Sequence, residues 1–486
     1  MAQEVTDAYI QTRIKKGDEG SDLLGAIFVP TLRNNNQVKL IGEERRVALE
    51  IPQSCQVTAH SAAGKGNPEE AAKDLVANLM MQAAEIKAKP VAMTDIIDSR
   101  TGDLAMLRKI AEAMKSVADK YHIAIINGEN AILGDVIRGD ANVSGTMISL
   151  LERGARVYTG NLPAAGTFRR YESGAPVFAT FNPEGKFVVA NSDGIGTKTR
   201  FYQRAGVWAP SINDFLAMIL DDGAKIRGAR VRAASGVFEV SGKSEQIKPT
   251  EKYMRERCTE MGIHGTLQIE RGNLNAYREG VVAYNIGGTA VSVVSEEDLN
   301  NPLKPAAGEF VIAIRGKPNP RSNGITSKRE VMIRMFGENW HETEVGKMFL
   351  EFLASPSTVL YPVFSELVNA GLATSVYHMS GGAYDGKFAK PLAKHNLKAE
   401  LTDLFAPDWR EVALCGIDKT SAGAAYGKYP MGNEGFVTTP KPDETIALIK
   451  EKGLEAQIAG KIVEGTGVEL VAWNEERIYF SGVKTA

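Results

Sequence analysis

The sequence predicts an α+β protein, an α/β sandwich in which one unit occurs twice in tandem ahead of a different α/β domain. Two observations carry this expectation. The stretch from Asp74-Leu75-Val76-Ala77 to Asn142-Val143-Ser144-Gly145-Thr146-Met147-Ile148-Ser149 is echoed from Asp214-Phe215-Leu216-Ala217 to Asn285-Ile286-Gly287-Gly288-Thr289-Ala290-Val291-Ser292. Within each copy the elements also follow one order. An Asp opens an apolar helical stretch, then come a strand (Pro90 to Thr94; Arg230 to Ser235), an amphipathic helix (Leu104 to Tyr121; Lys252 to Met261) and a closing strand. Duplicated units stack so that each covers the apolar face the other exposes, which makes an internal pseudo-dimer the expected arrangement.

The elements give the boundaries. Residues 1–45 form a polar lead with one apolar patch at Leu23 to Val29, the first copy occupies 46–160, and the second occupies 161–298 behind a Gly/Pro-rich connector. Residues 299–486 change pattern: strand Phe310 to Ile314, a Pro/Gly/Asn loop from Gly316 to Gly324, a helix from Thr326 and a long helix from His341 to Leu353. Ser355-Pro356-Ser357-Thr358 suggests an N-cap and first turn for a helix from Tyr361 to Ala370. Strand Gly435 to Thr439, helix Asp443 to Lys452 and strand Ala456 to Val463 close the domain, with no Rossmann fingerprint.

Composition narrows the function classes. With 43% hydrophobic and 24% charged residues the 486-residue chain is globular, and a formal charge of −2 leaves no basic surplus for nucleic acid or an anionic membrane. Cys55, Cys258 and Cys415 are isolated, which suits small buried side chains in a reducing cytoplasm rather than disulfides or a structural zinc. No basic-then-apolar leader and no run of eighteen apolar residues occur, so a cytoplasmic protein that neither crosses a membrane nor is exported is expected.

The motif richest in chemistry is Ser192-Asp193-Gly194-Ile195-Gly196-Thr197-Lys198, entered from the apolar run Phe187-Val188-Val189-Ala190. Gly194 and Gly196 let backbone N–H groups approach an anion, Lys198 adds a point charge, and Asp193 offers oxygen to a magnesium ion. It is not a Walker loop, because G-x-x-x-x-G-K-[ST] is absent. His60 lies in a small-residue stretch, Thr58-Ala59-His60-Ser61-Ala62-Ala63-Gly64, that reads more readily as a surface loop than as a nucleotide contact.

Together with Asp214-Phe215-Leu216-Ala217-Met218, Asp221-Asp222, Arg321-Ser322-Asn323-Gly324-Ile325-Thr326-Ser327, Ser355-Pro356-Ser357-Thr358, Ser380-Gly381-Gly382 and Tyr429-Pro430-Met431-Gly432, this turn resembles the aminoimidazole ribonucleotide synthetase family, the phosphoribosylformylglycinamidine cyclo-ligases. The resemblance spans about residues 50–486. It implies two copies of the family's N-terminal domain and one C-terminal domain, with the family's usual homodimeric pairing built inside one chain. Either a monomer or a homodimer is compatible with that.

The resemblance also implies ATP and Mg2+ as cofactors and a phosphoribosylated amidine as the small-molecule substrate. Lys198, Asp193 and Glu129 are the implied catalytic residues. Asp193, Asp222, Asp95 and Glu129 are implied for the metal, Asp222 being preferred over its neighbour Asp221. Gly194, Gly196, Thr197, Lys198, Asp214, Ser322, Asn323, Gly324, Ser380, Gly381 and Gly382 are implied for nucleotide and substrate. The copies divide this labour: the second keeps the phosphate turn but has Arg271-Gly272-Asn273-Leu274-Asn275 where a carboxylate is expected and Ser235 opposite Asp95, whereas the first keeps Asn127-Gly128-Glu129-Asn130-Ala131 but has Gln53-Ser54-Cys55-Gln56-Val57-Thr58 at the turn.

Departures from the family pattern bear on the substrate. Arg321 stands where the family has a histidine, Ser355-Pro356-Ser357-Thr358 lacks its arginine, and Gly386-Lys387 replaces a Glu-Asn pair. The expected activity is ATP-dependent cyclisation of formylglycinamidine ribonucleotide. The alternatives are another ATP-dependent activating enzyme of the superfamily, or an inactive nucleotide-binding paralogue.

Overall fold

The computed structural model describes residues 19–41, 46–63, 67–133, 137, 139–151, 167–169, 178–240, 244–271 and 283–483. The expected connector at Gly160 to Gly166 and Tyr171 to Pro176 lies outside them. The chain divides into two units that interleave in sequence: Met1–Gln203 with Ala229–Pro302, and Arg204–Gly228 with Leu303–Ala486.

In the first unit the strands are β1 (Val38–Ile41), β2 (Arg46–Glu50), β3 (Cys55–Ala63), β4 (Ala88–Ser99), β5 (Ala124–Ile132), β6 (Ala141–Leu151), β7 (Thr167–Arg169), β8 (Phe178–Phe181), β9 (Phe187–Gly194), β10 (Arg230–Val240), β11 (His264–Arg271) and β12 (Tyr284–Val294). Among the described residues they make two six-stranded sheets, ordered β5-β4-β6-β3-β8-β7 and β1-β2-β9-β12-β10-β11. The duplication is visible in the pairing. Each sheet holds a parallel pair (β4 with β5, β10 with β11) whose first strand runs antiparallel to the closing strand (β6 or β12), which in turn runs antiparallel to β3 or β9.

The sheets face each other across an apolar layer containing Val57, Ala92, Ile148, Val188, Ala233 and Val291. Reciprocal hydrogen bonds cross the seam: Asn142 on β6 donates to Glu239 on β10 at 3.0 Å, and Asn285 on β12 donates to Asp98 on β4 at 3.2 Å. Each Asn sits opposite the equivalent acid within its own sheet (Asn142 with Asp98, Asn285 with Glu239), so the copies are related by a pseudo-twofold. Thr94 and Thr289 share a further hydrogen bond of 2.7 Å across the seam.

The outer face of the first sheet is covered by helices Pro68–Glu85 and Leu104–Lys120, through Leu75, Leu79, Leu107, Ile110 and Met114. Both helices are capped as their sequences dictate. Asn67 accepts from the amides of Glu69 and Glu70 with Pro68 at the first position, and Asp103 accepts from Ala105. The polar lead is built in as well: helix Glu19–Phe28 joins the same core, and the Ile125 amide donates to Thr31 Oγ1 at 3.0 Å.

The second unit is a seven-stranded sheet, β14 (Ser375–His378), β16 (Gly435–Thr439), β13 (Phe310–Arg315), β17 (Glu455–Glu464), β15 (Leu397–Leu401), β18 (Gly467–Val471) and β19 (Arg477–Phe480), in that order. Its core includes Tyr384, Phe388 and Phe436, with the Phe388 and Phe436 rings stacked at 4.9 Å. Two local expectations change here. The long helix from His341 is a short 3-10 turn, Trp340–Glu342, then a helix Glu344–Leu353 capped by Thr343. Ser355 to Thr358 does not cap helix Tyr361–Asn369, whose N-cap is Leu360 with no side-chain bond, because Ser357 is engaged elsewhere.

Candidate functional site

The apolar run Phe187 to Ala190 becomes β9, held between β2 and β12, and delivers the turn to the seam of the first unit. Ile195 N donates to Ile286 O at 3.1 Å and Gly194 N to Asp193 Oδ1 at 2.7 Å, which sets the start of the turn. Gly196 then takes φ +55°, a left-handed conformation that costs glycine little, and a 3-10 turn Gly196–Lys198 follows. Thr197 and Lys198 are buried, with the Lys198 ammonium 5.8 Å from the Tyr202 ring centroid. The chemistry-bearing end of the turn is therefore held inside the protein rather than waving in solvent.

The other sheet supplies the facing wall. Ser192, just before Asp193, donates to Asn127 Oδ1 at 3.0 Å and approaches the Asp95 carbonyl at 3.5 Å. Asp95 lies opposite Gly128 on β5, and a Cβ at Gly128 would run into the Asp95 carboxylate, which would have to shift. Among the described residues neither Asp95 oxygen has a hydrogen-bond partner, although the residue is 1% exposed. Burial, and then the neighbouring Glu129 carboxylate, push the Asp95 carboxyl up to about 8. Two adjacent acids, one buried with orphaned oxygens, are a donor set suited to a cation. A cavity of about 240 Å³ opens here under helix Glu19–Phe28, with Leu24, Phe28 and Ile125 among its apolar walls and Ser21, Asp22, Asp95, Asn127 and Asn130 as its polar ones.

Asp214 and Asp222 lie in the second unit rather than with the sheet of the second copy. Asp214, fully buried on helix Ser211–Leu220, accepts from Ser357 N at 3.1 Å and Ser357 Oγ at 2.5 Å, fixing the Ser355 to Thr358 loop. Asp221 accepts from the amides of Leu360 and Tyr361, both at 2.8 Å, and from Arg321 at 2.9 Å. Asp222 pairs with Lys225 and lies 3.1 Å from His378 Nε2. Burial works to raise the Asp222 carboxyl, but Lys225, His378 and Lys387 together hold it well below the usual range. Asp222 is thus already surrounded by cations, unlike Asp95. Among the described residues no three Asp, Glu, His or Cys side chains converge as a metal cage.

The expected substrate loops also belong to the second unit. Arg321 is fully buried with φ +48°, its guanidinium bridging Asp221 and Glu434 (3.4 Å) and reaching Thr358 O at 3.2 Å. Glu434 in turn accepts from Thr358 Oγ1 at 2.7 Å. The two departures at 321 and 358 are therefore one network. Next to it, Ser322 Oγ and both amide atoms of Asn323 are buried without hydrogen-bond partners among the described residues, and Gly324 takes φ +57° against the Tyr429 ring. On the other loop Ser380 Oγ lies 3.2 Å from His378 Nε2, and Gly381 and Gly382 are exposed. His378, Glu434 and Lys225 carried no sequence signal of their own.

Strand register revises the expected correspondence between copies. Asp193 pairs with Gly288 and His60 with Gly145, the equivalent glycines of the closing strands, so His60 rather than the Gln53 to Thr58 stretch is the counterpart of Asp193. By the same logic Asp95 matches Gly236, not Ser235, and Glu129 matches Gln268 instead of a residue in Arg271 to Asn275. Residues 272–275 lie outside the described ones. His60 is on β3 and partly buried, not in a surface loop. The three cysteines are buried as expected, and burial raises their thiols.

Comparison with known proteins agrees with the resemblance read from the motifs. Residues 41–151 match the family described as AIR synthase related protein, N-terminal domain. The chain is 26% identical over 302 residues to a phosphoribosylformylglycinamidine cyclo-ligase of Clostridium perfringens (strain 13 / Type A), covering 58% of this chain and 82% of that protein. Similar solved structures include tt0281 from Thermus thermophilus (18% identity, TM-score 0.37, 59% of this chain and 86% of that one). Another is thiamine-monophosphate kinase from Stenotrophomonas maltophilia K279a (16%, TM-score 0.40, 58% and 84%). A third is the hydrogenase maturation protein HypE of E. coli (14%, TM-score 0.40, 61% and 87%). Over these residues the chain is thus similar to the phosphoribosylformylglycinamidine cyclo-ligases. Among the described residues no helix is long and apolar enough to cross a membrane.

Proposed function

We propose that the protein is an ATP-dependent cyclo-ligase that closes formylglycinamidine ribonucleotide to aminoimidazole ribonucleotide, releasing ADP and phosphate. The observation that carries this reading is the meeting of the β9 turn with β4 and β5, marked by the Ser192–Asn127 hydrogen bond. In this reading one copy's Asp193 and Lys198 act together with the other copy's Asp95 and Glu129. The cyclo-ligase name of the relative at 26% identity supports the same reaction.

In this reading Lys198 and the glycine amides of the turn hold the triphosphate, where charge accumulates as the phosphoryl group transfers to the amide oxygen of the substrate. Asp95 and Glu129 would hold magnesium, which characteristically takes one or two carboxylates and completes its shell with phosphate oxygens and water. Bound there, the ion would neutralise phosphate charge. Enclosure around Ile195, Thr197 and Lys198, the buried residues of the turn, would keep water from a phosphorylated intermediate that would otherwise hydrolyse. Ser322, Asn323 and Gly324, with Ser380, Gly381 and Gly382, offer hydroxyl, amide and backbone donors for the ribose phosphate.

The test is formation of ADP and aminoimidazole ribonucleotide from formylglycinamidine ribonucleotide and Mg-ATP, compared with Lys198→Ala and Glu129→Ala. Loss of turnover in both is expected, whereas full turnover of the Glu129 variant removes the shared site. A second reading, a superfamily enzyme acting on a different phosphorylated substrate, is favoured by Arg321, whose guanidinium is committed to Asp221 and Glu434. ADP release with another phosphorylated amide, thiamine phosphate or selenide, but not with formylglycinamidine ribonucleotide, selects it. ATP binding without turnover on any of them selects an inactive paralogue.

A further inference from the structure

The pseudo-twofold of the first unit creates two equivalent seams, and the chain has treated them differently. At one seam β9 brings Asp193, and β5 carries Glu129 and, two residues on, Ala131. At the other, β3 brings His60, and β11 carries Gln268 and Glu270, because Ala131 pairs with Asp98 as Glu270 pairs with Glu239. An acid and a small side chain at one seam thus correspond to a histidine and a long acid at the other.

The second combination closes on itself. His60 Nδ1 lies 2.7 Å from Glu270 Oε1, with the two side chains only 15% and 16% exposed. Gln82 Nε2 lies 3.4 Å from the same ring nitrogen, and Thr58 Oγ1 donates to Gln82 Oε1 at 3.1 Å. Helix Pro68–Glu85, which bears Gln82, buttresses the contact from the outer side of β3. At the first seam neither change is repeated: Ala131 has no group to reach across, and Asp193 would repel an acid there.

We propose that Glu270 is a resident anion. Its carboxylate, held against His60, stands at the counterpart of the place where the nucleotide reading puts the phosphate end at the other seam, so the chain binds one nucleoside triphosphate rather than the two its duplication would allow. The proposal rests on the nucleotide reading of the β9 turn, and its test separates the two. Titration calorimetry of the full chain with Mg2+ and a non-hydrolysable ATP analogue should give one site per chain. Glu270→Ala removes the plug and should raise the number of sites for Mg-pyrophosphate from one to two, while Glu270→Gln, which preserves the contact with His60, should leave it at one. Two nucleotide sites in the unaltered chain, or one pyrophosphate site in a folded Glu270→Ala variant, overturns the self-filled seam. If Glu270→Ala does not fold, the unaltered chain and Glu270→Gln still decide: two sites in either overturns the proposal. No site in the unaltered chain overturns the nucleotide reading itself and the proposal with it.

Discussion

Ser192 on β9 donates its hydroxyl to Asn127 on β5 at 3.0 Å, joining the residue before Asp193 in one copy to a residue two before Glu129 in the other. That bond ties the two sheets at the residue that leads into the turn.

Lys198 is buried beside the turn, and its charge cannot be replaced by water from solvent. Removing a preorganised group that meets developing charge lowers turnover by about 10²–10³. Lys198→Ala should therefore lose at least that much in ADP formation while its circular dichroism spectrum stays unchanged. An equal rate in the variant would show that the turn does not serve phosphoryl transfer.

Gly128 faces Asp95 with no space for a Cβ. Gly128→Ala should destabilise by about 1–3 kcal/mol, as overpacking does, because the carboxylate it strikes is itself enclosed. Urea denaturation measures the loss. The unaltered midpoint in that variant would mean that the two strands are not as close as described.

Glu239 is enclosed at the pseudo-twofold. Burial, and then Asp98, push its carboxyl up to about 7, against the hydrogen bonds from Asn285, Ser61 and Asn142. Because the folded value lies above the ordinary 4.5, the protonated form favours folding: the contribution is full below about 4.5 and is lost as pH rises through about 7. The shift corresponds to roughly 3 kcal/mol. Glu239→Gln, which stays neutral, should flatten the decline in stability between about pH 4.5 and 7, measured by denaturation at a series of pH values.

Arg321 balances Asp221 and Glu434 with no exposure to water. Arg321→Met leaves both acids without that counter-charge and should cost about 3–5 kcal/mol. Arg321→Lys should recover only part of it, because an ammonium cannot present the planar fork that spans Asp221, Glu434 and Thr358 O. Equal stabilities of the lysine and arginine proteins would contradict the bridging role.

Much of this architecture was legible in the residues. The repeated Asn-x-x-Gly-Thr strand marked the duplication, and the amphipathic periods of Leu104 to Tyr121 and of the strands gave the sandwich, because burial of one face imposes a period on the sequence. The Asp193 to Lys198 turn was recognisable from glycines whose conformation is local. His60 was harder to judge: it sits in a small-residue stretch that looks like loop, and only pairing with Gly145 reveals a strand.

The sequence by itself showed that one pattern of strands and helices occurs twice, that the turn lies in the second copy, and that Glu129 lies in the first. Tertiary structure decided which residues stand opposite one another, placing His60 rather than Gln53 to Thr58 across from the equivalent of Gly288, and it assigned Asp214 and Asp222 to the other unit. The reason is physical: side-chain periodicity tells which face of a strand is buried, but register and unit membership come from contacts between residues far apart in the chain, which no local pattern encodes.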